Sequence, residues 1–237
     1  MATDCNVKNL SQLEEILNLK FKNQNLLRQA LVHRSYLNEN PGSFSEHNER
    51  LEFLGDAVLE LVVTDHLYKT YQKPEGELTA LRASLVNANA LSDVAKNIGL
   101  NDFLLLSRGE QKDIGKARQY ILANAVEAVI GALYIDQGYD SVKKFVSDKI
   151  LKILPLIIDK KLYRDAKSLF QEESQGRVGI TPTYEVLKEW GPDHAKHFTV
   201  GVFLGEELVA EGEGTSKQEA QQAAAEEGLK AKGWNSF

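Results

Sequence analysis

His47-Asn48-Glu49-Arg50-Leu51-Glu52-Phe53-Leu54-Gly55-Asp56 is the stretch that decides how this chain is read. Glu49, Glu52 and Asp56 stand at i, i+3 and i+7, which puts all three carboxylates on one face of a helix. Glu60 continues that face about one turn further, at a rise of roughly 1.5 Å per residue. Leu51, Leu54, Val58 and Leu61 are expected on the opposite face. Like charges at this spacing destabilise an isolated helix, so the pattern asks for compensation. Two readings are open. The face is a solvated acidic stripe, or it serves a hard divalent cation, which takes oxygen ligands and shares them with water and phosphate. Gly55 inside so apolar a helix implies close approach by another backbone.

A second helical run, Ile121 to Gly131, is apolar except for Asn124 and Glu127, again at i and i+3. Asn124 reads as a satisfied buried amide and Glu127 as a helix-surface carboxylate, unless the two are functional. A charge inside such a run is costly unless it is paired or bound to metal. Packed against the first helix, this one would complete a compact set of oxygen ligands.

Outward from these two helices, apolar residues recur at helical period through Leu13–Leu17, Leu26–Val32, Leu51–Leu67, Leu78–Ile98, Tyr120–Ile135 and Val142–Ile158. Asn40-Pro41-Gly42, Lys73-Pro74-Glu75-Gly76, Gly99, Gly115 and Gly138 punctuate them. After Asp159 the pattern changes. A polar stretch is followed by a helix over Lys167–Ser174, then strands over Tyr184–Trp190, Phe198–Leu204 and Leu208–Gly212, then an Ala-rich helix over Ser216–Lys230. The middle strand alternates Phe198, Val200, Val202 and Leu204 with Thr199, Gly201 and Phe203, the pattern of a half-buried strand.

The 237 residues suffice for one large domain or two small ones, and 43% hydrophobic with 26% charged residues marks a folded chain. Cys5 is the single cysteine, which excludes an internal disulfide scaffold and favours a reducing compartment. The most apolar stretch, Ile150–Ile158, is short and carries Lys152 and Pro155. The first ten residues lack the basic-then-apolar pattern of a signal peptide. A soluble cytoplasmic protein with no membrane partner and no organic cofactor is expected. The five histidines show no metal-ligand spacing, and nothing supports a Ser/His/Asp or Cys/His hydrolase. The net charge of −6 speaks against a nucleic-acid partner. Most of the excess lies in residues 164–237, with 8 Lys and Arg against 13 Asp and Glu.

His47 to Asp56 nonetheless resembles the signature of the ribonuclease III family, which cleaves double-stranded RNA. Ile121 to Gly131 resembles that family's second acidic motif. His33-Arg34-Ser35-Tyr36 and the stretch from Glu75 to Leu85 also fit, and residues 164–233 are similar to the double-stranded-RNA-binding domain that follows in bacterial members. The resemblance implies a multidomain α and α+β chain: an all-helical endonuclease domain over 1–158, a linker over 159–164, and an αβββα RNA-binding domain over 165–237. It implies catalytic roles for Glu49, Glu52, Asp56 and Glu127, with Mg²⁺, or Mn²⁺ as a substitute, on Glu52, Asn124 and Glu127. Glu75 and Glu110 fall on accessory acidic positions. Phe53 falls where the family buries an aromatic in a partner subunit, which implies a homodimer.

One departure matters. The second motif usually begins with Asp, and this chain has Asn124, whose amide oxygen can ligate Mg²⁺ but brings no charge and cannot act as a base. The alternative function is therefore a double-stranded-RNA-binding regulator with impaired catalysis. A third reading, an acidic helical interaction module without RNA, follows from the net charge.

In the last domain, Gly212-Glu213-Gly214-Thr215-Ser216-Lys217 is a Gly-rich turn entering a helix N-terminus, where free N–H groups and the dipole favour an anion. Lys217 there is a phosphate contact or simply a solvated lysine beside Glu219. Ala220, Ala223, Ala224 and Ala225 read as a small-residue face packed on the sheet. The resemblance places further RNA contacts at Gln171, Glu172, Gln175, His194 and Ser216. Gln218 and Gln221 stand where the family often has basic residues, so weaker and less salt-dependent binding is expected.

Overall fold

The computed structural model describes residues 10–159, 163, 165–192 and 196–234. Two compact units divide the chain, Met1–Asp159 and Lys160–Phe237. The first contains α1 (Leu10–Leu17), α2 (Gln24–Ala30), α3 (Arg34–Glu39), α4 (Glu49–Thr70), α5 (Glu75–Val86), α6 (Ala88–Asn97), α7 (Lys116–Gln137), α8 (Tyr139–Lys149) and α9 (Leu154–Asp159). Among its described residues the one strand-like pairing is an isolated parallel bridge, Val32 to Leu105. At its centre α4 lies along α7. Ile121, Leu122, Ala123, Ala125, Val126 and every residue from Ala128 to Leu133 of α7 are buried. A helix apolar all round is a core helix, and α2, α6 and α8 complete the sheath around it.

Three readings of helix extent change. Leu78–Ile98 is two helices, because Asn87 adopts extended backbone (φ −71°, ψ 159°). Its amide donates to Ala83 O and Ser84 O, and its side-chain oxygen accepts from Ala90 N at 3.0 Å, so one residue caps α5 and α6 together. Val142–Ile158 breaks after Lys149 into a 3-10 turn at Leu151–Ile153 and then α9. Pro155 has no N–H and would meet the carbonyl of Leu151 in a continuous helix; it fits only in a first turn. The six-residue α3, which buries nothing and so leaves no apolar period, is absent from the sequence reading.

The second unit is α10 (Ala166–Val178), β1 (Thr183–Trp190), β2 (His197–Leu204), β3 (Glu207–Gly214) and α11 (Lys217–Ala231), with the antiparallel sheet in the order β1-β2-β3. Both helices cover one face through a core of Leu169, Phe170, Val202, Ala224, Leu229 and Trp234. The α and α+β class stands as expected. The middle strand differs: β2 is buried on both faces, Thr199 included. On the face away from the helices, Leu208, Phe203 and Leu187 close over Gly201, all three within 3.0 Å of where its Cβ would stand. Small residues at 199 and 201 disguise that cover in the sequence pattern.

Candidate active site and nucleic-acid interface

Helix α4 begins at Glu49 because Asn48, only 2% exposed, is tied to the segment before α3. Its backbone N–H donates to Val32 O at 2.9 Å, and its side-chain amide donates to Ala30 O at 3.3 Å. Glu49 and Glu52 therefore occupy the first turn, where the helix dipole favours negative charge. Arg34 of α3 lies 3.4 Å from the Glu49 carboxylate, and His47 Nδ1 accepts from Glu49 N at 3.4 Å.

Across the α4–α7 contact, Glu127 faces Glu52 and Asp56. Burial, then the charges of Asp56 and Glu52, push its carboxyl up to about 8. Glu52 is raised as well, first by burial and then by Glu49; the Asn124 amide, donating toward it, works the other way, and Asp56 adds to the rise. Glu49, Glu52, Asp56, Asn124 and Glu127 are thus brought into one neighbourhood, with the first three from α4 and the last two from α7.

This donor set suits a hard divalent cation: every candidate ligating atom is oxygen, and the surroundings of the half-buried Glu127 disfavour its charged form. Among the described residues no three His, Cys, Asp or Glu side chains converge into a metal cage by themselves.

The accessory acids divide. Glu110 sits near His33, which also feels Glu49, so it borders the cluster on its Glu49 side. Glu75 does not join it. It accepts from Thr79 Oγ1 at 3.0 Å and lines a cavity of about 410 Å³ with Thr64 and Tyr68 of α4, three turns or more beyond Glu52.

Phe53 is 82% exposed, which excludes an ordinary core phenylalanine. Leu61, expected on the buried face with Leu51 and Val58, is exposed instead and continues a stripe from Phe53 to Tyr68 along α4, beside the carboxylates. A cavity of about 560 Å³ opens next to Phe53, walled by Leu26, Leu51, Leu54 and Ile135.

A family model described as Ribonuclease-III-like matches residues 23–154, and one described as Double-stranded RNA binding motif matches residues 166–232. The chain belongs to the ribonuclease III family. It is 45% identical over 223 residues to ribonuclease 3 of Borreliella burgdorferi, covering 94% of this chain and 91% of that one. It is 42% identical over 228 residues to ribonuclease 3 of Campylobacter jejuni, covering 96% and 99%. A solved nuclease domain of ribonuclease III from Campylobacter jejuni, described for flexibility in a region involved in dimer formation, superimposes with a TM-score of 0.56 at 42% identity, covering 62% of this chain and 99% of that one.

In this ribonuclease III family chain the second unit is the double-stranded-RNA-binding motif. Gln171, Glu172 and Gln175 lie exposed on one side of α10, away from Leu169, Phe170 and Ser174. Gln175 donates to Thr181 Oγ1 at 3.0 Å. His194 lies outside the described residues. Ser216 caps α11, accepting from Glu219 N at 3.1 Å, and Glu219 accepts from Thr215 N at 2.9 Å. Two donors of the helix entry are thus satisfied within the chain, close to a capping box.

The glycines of that turn have a packing role. A Cβ on Gly212 would stand 2.0 Å from Ala224 N, and one on Gly214 would stand 2.6 Å from Ala220 N, so β3 lies directly on α11. Ala220, Ala224 and Ala225 are fully buried there, as the small-residue face requires, while Ala223 is half-buried. Lys217 is exposed, its ammonium 5.7 Å from the centre of the Phe198 ring. Sequence reading missed Lys167, which stacks over Tyr184 at 5.0 Å and donates to Gln221 Oε1 at 2.6 Å. It supplies a cation beside α11 where the helix itself has glutamine, and no local pattern on α10 announces that.

Proposed function

We propose that this chain is a divalent-metal-dependent endoribonuclease that cuts double-stranded RNA as a homodimer, leaving 5′-phosphate and 3′-hydroxyl ends. The observation that carries the reading is the close crossing of α4 and α7 at Gly55 and Gly131, which sets the half-buried Glu127 opposite the helix that bears Glu52 and Asp56. Glu52, Asn124 and Glu127 would hold Mg²⁺ or Mn²⁺, with Glu49 and Asp56 as further ligands or as organisers of water around it. When bound, the ion supplies a water of lowered pKa and neutralises charge on the scissile phosphate and the leaving 3′-oxygen.

The chain's own residues do the rest. Arg34 holds the Glu49 carboxylate at the mouth of the cluster. Partial burial along α7 lowers the screening around Glu127, so its charge acts more strongly on a cation than an exposed carboxylate would. Phe53 and the apolar stripe of α4 would seat against a second copy, giving each protomer one cluster and each cluster one RNA strand to cut, with staggered ends. In the second unit Gln171, Glu172 and Gln175 would meet minor-groove 2′-hydroxyls, with Ser216 and Lys217 at the phosphates, reading A-form shape rather than sequence. Structured RNAs such as ribosomal precursors and messengers are the expected substrates, in the cytoplasm. Among the described residues no helix is long and apolar enough to cross a membrane.

Asn124 favours a second reading, a regulator that holds RNA without cutting it: its amide lies by Glu52 and adds no charge. Cleavage of an end-labelled duplex RNA in Mg²⁺, beside an EDTA control and the Asn124→Asp variant, decides between them. Cutting by the chain as it stands supports the enzyme. Cutting by the Asp variant alone supports the RNA-holding regulator. No cutting by either refutes the site.

A further inference from the structure

Where α4 crosses α7 the two backbones touch with no side chain between them. A Cβ on Gly55 would stand 1.7 Å from Glu127 O and 2.9 Å from Gly131 N. A Cβ on Gly131 would stand 2.1 Å from Leu51 O and 3.1 Å from Gly55 N. The contact is reciprocal: each glycine faces the carbonyl four residues before the other. The three nearest atoms at each glycine are all backbone, so none of them can rotate out of the way. Glycine is a poor helix former beside alanine, and α7 uses Ala at 123, 125, 128 and 132. At 131 and at 55 even one methyl group is excluded.

We infer that Gly131, paired with Gly55, is a positioning residue for the carboxylate cluster, setting how far Glu52 and Asp56 stand from Glu127. The inference rests on the endonuclease reading of that cluster. Gly131 follows Glu127 by four residues and Asn124 by seven, so all three share the face of α7 that meets α4. The carbonyls that the glycines admit belong to Leu51, which precedes Glu52, and to Glu127 itself. A methyl group at 131 restores ordinary contact only if the helices separate by more than about 1 Å. Helix α7 is itself buried over most of Ile121 to Leu133, so bending it would disturb close-packed core on every side. The displacement then falls on the four carboxylates, and about 1 Å of misplacement among reacting groups costs on the order of 100-fold in rate.

The test compares the full-length wild type, Gly131→Ala and Leu133→Ala. Leu133 is fully buried in the same helix but has no part in the cluster, and serves as a control for lost stability. Four quantities are read at 15 °C: helicity, kcat and KM on duplex RNA in Mg²⁺, and duplex binding in Ca²⁺. The rise in melting temperature on adding Mn²⁺ without RNA is the fifth. Gly131→Ala is expected to stay folded, to keep KM and duplex binding, to lose about 100-fold in kcat, and to lose most of the Mn²⁺ response. Leu133→Ala is expected to melt lower yet keep its Mn²⁺ response and kcat. The inference is overturned if Gly131→Ala is unfolded at 15 °C, if its losses only track its unfolded fraction, or if its Mn²⁺ response equals that of Leu133→Ala. A wild type that responds to Mn²⁺ but never cleaves would sink the endonuclease reading instead, and the metal response would still judge the crossing.

Discussion

Changing Glu127 to Gln should make the metal-free protein more stable, and increasingly so as pH rises. The carboxyl goes from 4.5, its ordinary value, to about 8 in the folded chain, through burial and the charges of Asp56 and Glu52. A raised folded value means that the native state holds the proton more tightly than the unfolded chain. The stabilisation from that proton is complete below pH 4.5 and is lost as pH rises towards 8. At roughly 1.4 kcal/mol per pH unit the full loss is about 5 kcal/mol as an upper bound. The carboxylate remains partly open to water, which screens it, so about 2 kcal/mol is the figure to expect. Gln keeps the shape and never ionises, so the variant escapes the loss. Melting by far-UV circular dichroism in EDTA at pH 5.5 and 8.5 reads it. The two proteins should lie within about 2 °C of each other at pH 5.5, with the variant about 4 to 8 °C higher at pH 8.5. Adding Mn²⁺ at pH 8.5 should raise the wild type and leave the variant nearly still. Parallel pH curves, or a variant that melts lower at pH 8.5, would refute the claim that Glu127 is an electrostatic liability in the absence of a cation.

The same Glu127→Gln chain is expected to bind duplex RNA in Ca²⁺ and to show no cleavage in Mg²⁺; turnover near wild type would remove its catalytic role. Asn124→Asp should lower the Mg²⁺ concentration needed for half-maximal cleavage several-fold, because it adds a charge beside Glu52; an unchanged titration would mean that the amide serves as well. Phe53→Ala should weaken self-association by about 30-fold or more, as loss of a buried aromatic anchor does, read by sedimentation across a concentration series; unchanged sedimentation would count against the α4 stripe as the interface. Lys217→Ala should weaken duplex binding evenly across sequences and reduce the salt slope by about 1; an unaltered slope would leave that lysine merely solvated.

Much of this protein lies open in its sequence, because it depends on local period. Glu49, Glu52 and Asp56 share a face for no reason beyond the 3.6-residue turn, and the switch to alternation after Thr183 marks the sheet just as directly. The fold order of both units follows from those periods and their Gly and Pro breaks. Contact between distant segments decided the rest. Asn87 divides a continuous apolar run because its side chain caps both helices at once. Gly201 is buried by Leu187, Phe203 and Leu208, which belong to three different strands. The glycines at 212 and 214 look like a phosphate cradle until α11 is seen lying on them. Glu75 and Glu110 looked alike as accessory acids, and only the placement of the elements that carry them sets Glu110 near His33, which Glu49 also reaches, and Glu75 along the far half of α4. The shift of Glu127 is likewise tertiary: its neighbours in sequence are apolar, and the carboxylates that oppose its ionisation come from a helix some seventy residues earlier. Desolvation and Coulomb repulsion act through space, so a chain can display its carboxylates in its sequence while their chemistry waits on which backbones its glycines let touch.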